Sequence, residues 1–313
     1  MSIFTYDFMI RALLGALITG AAAPAIGVYL VQRRLSLIGD GLGHVALTGV
    51  GLGLLLHRSP VIMAVIAAAA GAVVIELVRE RGRTSGDIAL SMLFYGGISG
   101  GVVLVNLSDA QSSRSLVTYL FGSPLTTSRQ DLTVMLILGV AVLAVSILLR
   151  PWLFAVCHDE EYARVSGLPV RTLNLILAIT TAVTVTVAMR AVGLLLVSAL
   201  MVVPVATAQQ LTRGFRATML AAIGLGLLVS GGGVWLSTAI DTGPGATVVL
   251  LAIAGFFAVT VGASAARAAR GARHRSSDTG AGEPSAPAEP GLTAAAPGGA
   301  GPLDHTGEAR AGA

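Results

Sequence analysis

Long apolar segments separated by short polar loops dominate the sequence as far as residue 265. Each segment approaches the ~20 residues that a helix needs to cross a lipid bilayer. We predict about nine membrane-spanning helices, at residues 8–31, 35–56, 60–78, 87–107, 131–149, 173–189, 191–211, 217–239 and 245–265. Only Arg190 separates the seventh segment from the sixth. The pattern predicts an all-α polytopic membrane protein.

Composition supports this interpretation and divides the chain in two. The 313 residues are 54% hydrophobic and only 12% charged, which is too little charge to cover a soluble protein of this length. Beyond residue 267 the sequence becomes rich in Ala, Gly, Pro and Ser, with too few large apolar side chains to offset the entropy of ordering. We predict a transmembrane domain at 1–267 and a disordered cytoplasmic tail at 268–313.

The distribution of arginine predicts the topology. If the loop with Arg33 and Arg34 is cytoplasmic, the cytoplasmic segments carry 14 arginines before the distal tail, and the opposite side carries five. Positive charge accumulates on the cytoplasmic side of membrane proteins. Nine spans then place the N-terminus outside and the C-terminus in the cytoplasm.

Two residue types exclude whole classes of site. All 20 basic residues are arginine, so the lysine of an ATPase phosphate-binding loop is missing and ATP hydrolysis by that route is excluded. The single cysteine, Cys157, excludes an internal disulfide and a cysteine-cluster metal site.

Asp40 and His44 stand four residues apart inside the second apolar segment. On a helix this spacing places both side chains on one face. A carboxylate and an imidazole suit zinc, manganese or iron, and an intramembrane charge persists where it faces a polar cavity or a partner. Two groups do not complete a coordination shell, so water, carbonyl oxygens or a symmetry mate would supply the rest. The spacing equally fits a hydrogen bond that locks two helices together.

A proline interrupts the apolar segment GLLLVSALMVVPVAT at 193–207. Pro204 removes one helical hydrogen bond and frees a carbonyl group, and Ser198 and Thr207 place hydroxyl groups nearby. Such positions in membranes line cavities or pack against protein. These three residues are candidates for lining a pathway, and a simple helix kink is the alternative.

The predicted cytoplasmic loop at 150–172 contains HDEEYARVSGL, which indicates a short amphipathic helix closed by Gly167 and Pro169. Acidic residues at its start are favourable there, because a helix N-terminus carries partial positive charge. This segment is either a solvated helix or a docking element for a cytoplasmic partner. The candidate docking residues are Asp159, Glu160, Glu161, Ala163 and Gly167.

Four segments together resemble a known family. RRLSLIGDGLGHVALTGVGLG at 33–53 resembles the signature of bacterial ABC permeases for zinc, manganese or iron uptake, although His44 is followed by Val-Ala where that family has an HA-like step. YLFGSPL (119–125), VGLLLVSALMVVPVATA (192–208) and DTGPGATVVL (241–250) resemble its remaining blocks, in the same order. The resemblance covers residues 8–265.

The resemblance implies a permease fold like that of vitamin B12 importers and a multi-pass homodimer in the bacterial plasma membrane. Its partners would be two copies of a separate cytoplasmic ATP-binding cassette ATPase, an extracellular or periplasmic metal-binding protein and membrane lipid, without nucleic acid. The segment HDEEYARVSGL would be the coupling helix. Asp40 and His44 match positions that contact the metal in transit. The metal, zinc first and manganese or iron as alternatives, would be cargo, and no cofactor would be bound permanently. The chain would be a transporter subunit and no enzyme, because the separate ATPase would hydrolyse ATP.

Two other functions remain open at this point. A permease for a chelated metal, such as a siderophore or cobalamin, would make Asp40 and His44 structural. An ion-coupled secondary carrier would work without an ATPase, but it tends to show inverted repeats and several intramembrane acids. A membrane scaffold without transport is a third alternative. A co-purifying ATPase would distinguish the importer from the last two.

Overall fold

The computed structural model describes residues 7–80, 86–108, 120, 122 and 129–278, and all regular structure in this part is helical. The helices are α1 (Asp7–Gln32), α2 (Ile38–Leu55), α3 (Pro60–Glu80), α4 (Gly86–Asn106), α5 (Arg129–Leu148), α6 (Arg150–His158), α7 (Glu160–Val165), α8 (Val170–Ala191), α9 (Leu194–Leu211), α10 (Phe215–Ala239) and α11 (Pro244–Asp278). The all-α prediction is confirmed.

Three helices form the centre of the bundle. α1, α2 and α8 are mostly buried, whereas α4, α5 and α11 bury only a minor part of their surface. α1 packs against α5, α8, α9 and α10, and α2 packs against α3, α4, α8 and α9. α8 and α9 therefore join the two groups. The outer helices expose large apolar side chains, which suits a surface that faces lipid.

Eight of the described helices are long and apolar enough to cross a membrane. They correspond to eight predicted spans with shifts of a few residues at their ends. The segment predicted at 191–211 is shorter: α9 begins only at Leu194, and its described apolar part is Leu196–Leu211. Gly193 separates it from α8 with a φ of 93°, a backbone conformation that favours glycine.

The ends of α9 lie at opposite ends of the bundle. Immediately before α9, the carbonyl oxygen of Val192 approaches Gly245 at the start of α11. At the other end, Gln209 lines a cavity with His158 at the end of α6. The helix thus connects the two ends of the bundle despite its shorter apolar segment.

The loop predicted at 150–172 contains two helices rather than one. α6 and α7 are separated by Asp159, which has an extended backbone conformation. Sequence reasoning missed α6, although Pro151 at its first turn is a recognised start signal.

The chain divides into two compact units, Met1–Ala266 and Arg267–Ala313. Helix α11 continues to Asp278, beyond the predicted domain boundary at 267. Residues 279–313 lie outside the described residues, so the disordered tail stays a prediction. Most of the YLFGSPL segment also lies outside them.

Candidate functional site

Asp40 and His44 lie on the side of α2 that faces α4 and α9. Ser198 of α9 donates a long hydrogen bond of 3.4 Å from its hydroxyl group to Oδ1 of Asp40. Asp40 is partly buried, and His44 is only 6% exposed. The structure therefore brings together three residues that the sequence analysis selected from segments 158 positions apart.

The imidazole ring of His44 packs against an aromatic side chain of α4. Phe94 of α4 packs against it edge-on, with ring centroids 4.4 Å apart. Nδ1 of His44 is buried and has no hydrogen-bond partner among the described residues. A buried polar atom without a partner carries a free-energy cost, which a bound ligand would remove. The observation disfavours the helix-lock interpretation, in which the imidazole would use its nitrogens for hydrogen bonds within the protein.

Close helix packing fixes the position of His44. A Cβ atom on Gly97 of α4 would lie 2.6 Å from the carbonyl carbon of His44, so only glycine allows this approach. One turn further along α2, Thr48 donates a hydrogen bond of 2.7 Å to the carbonyl oxygen of Gly97. On the other side, a Cβ on Gly43 would lie 2.4 Å from Cδ1 of Leu194. The α2 backbone is thus clamped between α4 and the start of α9.

The described residues contain no group of three or more His, Cys, Asp or Glu side chains that could hold a metal ion. The assignment of Asp40 and His44 as metal ligands stays a prediction. Ser198 adds one hydroxyl oxygen close to Asp40.

Pro204 and Thr207 lie further along α9, and both are buried. The hydroxyl group of Thr207 donates to the carbonyl oxygen of Val203, in its own helix, at 2.8 Å. α9 runs through Pro204 without interruption from Leu194 to Leu211. Of the three pathway candidates, the structure brings only Ser198 into contact with Asp40, and the assignment of the other two stays a prediction.

The predicted amphipathic helix in the loop after α6 is present as α7. The Asp159 carboxylate caps it by accepting a hydrogen bond of 2.9 Å from the backbone N–H of Tyr162. Gly167 ends the segment with a φ of 79°. Ala163 is fully buried and Glu161 is exposed, so the helix has one face on the bundle and one in solvent. Tyr162 and Val165 are 70% and 88% exposed, and sequence reasoning did not select them.

Arg33 connects α7 to the core of the bundle. Its guanidinium donates to Oε2 of Glu160 at 2.6 Å and to Oδ1 of Asn174, in α8, at 2.7 Å. The Arg33 side chain is only 8% exposed, whereas that of Glu160 is 39% exposed. Glu160 also pairs with Arg164, one turn along the same helix. Arg33 lies seven positions before Asp40 in the sequence. Its contact with Glu160 therefore links α7 to the turn that leads into α2.

The tight turn after α1 orients the Arg33 side chain toward Glu160 and Asn174. After α1, the N–H of Arg34 bonds to the carbonyl oxygen of Val31, and the N–H of Leu35 bonds to that of Leu30. This is the Schellman pattern, with Arg34 in the left-handed conformation at a φ of 58° where glycine is usual. Sequence reasoning treated the Arg33-Arg34 pair only as a topology signal. The buried Asn174 was missed because a lone polar residue in an apolar segment has no partner visible in the sequence.

The sequence of this chain matches the ABC 3 transport family over residues 5–263. The chain belongs to that family. It is 32% identical to the high-affinity zinc uptake system membrane protein ZnuB of Haemophilus influenzae over 249 residues, 78% of this chain and 94% of the relative. It is 30% identical to the manganese transport system membrane protein MntC of Halalkalibacterium halodurans over 250 residues, 80% and 85% of the two chains.

Solved structures show the same fold. The chain is similar to PsaBC from Streptococcus pneumoniae, solved in complex with a Fab, with a TM-score of 0.74, 25% identity, and coverage of 82% of this chain and 91% of that one. It also shares the fold of a metal-chelate type ABC transporter in an inward-facing conformation, with a TM-score of 0.63 and 19% identity over 80% and 85% of the two chains. The predicted family and the predicted fold class are confirmed, and a family member of this kind is a transport subunit rather than an enzyme.

Proposed function

We propose that this chain is the membrane subunit of an ATP-driven importer of divalent transition metal ions, with zinc as the first candidate and manganese or iron as alternatives. The single observation that carries the proposal is the position of the buried His44 beside the partly buried Asp40 on α2, where Nδ1 of His44 has no hydrogen-bond partner among the described residues. Relatives within the same family are permeases named for zinc, manganese and iron.

The pair would act as a transient site for an ion that has lost part of its water shell. A carboxylate oxygen and an imidazole nitrogen bind all three metals, and the Ser198 hydroxyl group adjoins the carboxylate. A transport site has to release its ion, and weak or incomplete coordination favours release. No covalent chemistry and no resident cofactor are needed in this chain.

The incomplete ligand set supports a homodimer in the bacterial inner membrane. A second copy would bring a second Asp40 and His44, so that two chains together would offer four side-chain ligands. We propose the orientation that the arginine distribution predicts, with the N-terminus outside and the C-terminus in the cytoplasm. An extracellular metal-binding protein would deliver the ion to the opposite end of the bundle from α7.

A separate ATP-binding cassette ATPase would dock on α7. Its contact surface would include Tyr162 and Val165, which are exposed apolar groups on a polar helix, together with the carboxylate of Glu161. Movement of α7 would be transmitted through Glu160 to Arg33 and thence to the α1–α2 turn. This route connects ATP binding in the partner to the helix that carries Asp40 and His44.

Metal uptake tests the proposal in cells that lack their own high-affinity importers. The chain is expressed with its ATPase and binding protein, and zinc, manganese and iron are supplied in turn. Asp40→Asn and His44→Ala are expected to lose uptake of one metal while the complex still assembles. Ser198→Ala is expected to reduce uptake partially. Ser237→Ala is the matched control, because Ser237 is buried on α10 and its hydroxyl group donates to the carbonyl oxygen of Val234 in the same helix.

A chelated metal is the second candidate substrate, because the chain shares its fold with a metal-chelate type transporter. In that case the ligands of the ion belong to the chelator, and Asp40 and His44 need not coordinate it. Full uptake of a chelate by Asp40→Asn and His44→Ala, with no uptake of free ions by the parent chain, would favour this alternative. Uptake without any ATPase would refute the importer and favour a secondary carrier.

A further inference from the structure

A basic cavity lies between the beginnings of α6 and α10. Its volume is about 650 Å³, and three arginines line it: Arg150, Arg213 and Arg216. The rings of Phe154 and Phe215, whose centroids are 4.7 Å apart, form an apolar floor. α6 leads directly into α7, so the cavity lies at the same end of the bundle as the proposed ATPase contact.

The described residues do not balance the positive charge of this cavity. Among them, no acidic side chain lines the cavity and none of the three guanidinium groups forms an ion pair. A larger cavity of about 770 Å³ beside α7 provides a contrast, because Glu76 and Glu160 line it together with its arginines. An anion from outside the chain would balance the charge of this basic cavity.

The N-terminus of α10 adds to the positive potential. α10 begins after Gly214, and no side chain caps its first turn. The unpaired N–H groups of a first turn carry partial positive charge and favour anions. Gly214, just before α10, has a φ of 106°, a backbone conformation that favours glycine. The backbone therefore carries no side chain at this point.

Apolar side chains flank the cavity on the surface that would contact lipid. Leu148, two residues before Arg150, and Leu220, one helical turn after Arg216, are each 71% exposed. Trp152 is 51% exposed on α6, and tryptophan is enriched at the level of lipid headgroups. A soluble anion would use only the arginines. A ligand with an anionic head and acyl chains would use both surfaces.

We propose that this cavity binds the phosphate-bearing headgroup of an anionic phospholipid, with its acyl chains lying along the ends of α5 and the first turns of α10. Arg150, Arg213 and Arg216 would contact the phosphate, because guanidinium groups offer paired donors to phosphate oxygens. Basic pockets between membrane helices recognise anionic headgroups in this way. The bound lipid would fix the start of α6, which leads into the proposed coupling helix.

Tryptophan fluorescence tests the proposal on the full chain in mixed micelles. The chain has two tryptophans, and Trp235→Phe leaves Trp152 as the only reporter beside the cavity. Brominated phosphatidylglycerol is expected to quench Trp152 at a lower mole fraction than brominated phosphatidylcholine. The preference should fall roughly five-fold for each arginine replaced, as in Arg213→Gln and Arg216→Gln.

Matched variants distinguish a specific site from general surface charge. Arg213→Lys and Arg216→Lys keep the charge and should keep most of the preference. Arg58→Gln removes an exposed arginine at the other end of the bundle, between α2 and α3, and should leave it unchanged. Equal quenching by the two lipids, or an equal loss of preference in Arg58→Gln, would overturn the proposal. Competition by glycerol phosphate at the same concentration as the lipid would assign the cavity to a soluble phosphate and overturn the lipid assignment.

Discussion

The contact between α1 and α10 depends on two glycines that let the backbones touch. A Cβ atom on Gly226 would lie 2.1 Å from the carbonyl oxygen of Gly20 and 2.6 Å from Cγ of Pro24. Across the same contact, a Cβ on Gly20 would lie 2.4 Å from Oγ of Ser230. Small residues four positions apart, here Gly226 and Ser230 on α10, allow membrane helices to come into close contact. We therefore predict that Gly226→Ala separates the two helices.

The size of the effect follows from these distances. Ordinary van der Waals contact begins at 3.4 Å, so the helices would have to move apart by about 1.3 Å at this point. Overpacking costs about 1–3 kcal/mol, and the upper end applies here because backbone and a proline ring cannot rotate away. The gain in helix propensity from Gly to Ala returns about 1 kcal/mol. The expected net loss is about 2 kcal/mol in the free energy of unfolding.

Gly224 provides a matched control on the same helix. A Cβ there would meet nothing within 4 Å, so Gly224→Ala should change only helix propensity and leave stability equal or higher. Both variants are unfolded thermally in the same detergent, and the unfolding free energies are compared. The reasoning is refuted if Gly226→Ala is as stable as Gly224→Ala, because the two substitutions differ only in what the added methyl group meets.

Three further predictions concern the α7 junction, the turn before α9 and the free thiol. Arg33→Gln removes two charge-assisted hydrogen bonds and leaves the buried Asn174 amide without its donor, so the free energy of unfolding should fall by about 2–3 kcal/mol. The amount of metal taken up per ATP hydrolysed should also fall. An unchanged ratio in vesicles would contradict the relay through Glu160. Gly193→Ala forces a side chain into a φ of 93° and should lower thermal stability by about 1–3 kcal/mol, with Gly224→Ala again as control. Burial raises the pKa of the Cys157 thiol to about 11, so the thiol stays protonated at pH 8. A maleimide should therefore label Cys157 slowly until the protein is unfolded or the pH approaches 11. Equal labelling rates in native and unfolded protein would contradict this prediction.

Local features of the chain were predictable from sequence because they depend on neighbouring residues. The length of an apolar segment decides whether a helix can span a bilayer, and eight of the predicted spans have that length in the structure. The spacing of Asp40 and His44 decides that they share a face of α2. Asp159 caps α7 and Gly167 ends it through contacts within a few residues. Sequence alone was enough in each of these cases.

Only the tertiary structure decided which helix faces each of these residues. Membrane helices are apolar on most sides, so the sequence of α9 does not indicate which of its residues points at Asp40. The structure selects Ser198, 158 positions away, and leaves the hydroxyl group of Thr207 bonded within its own helix. The contact of Arg33 with Glu160 and Asn174 likewise joins segments 127 and 141 positions apart. Such pairings depend on where glycines permit close approach, and that property belongs to two helices together rather than to either sequence.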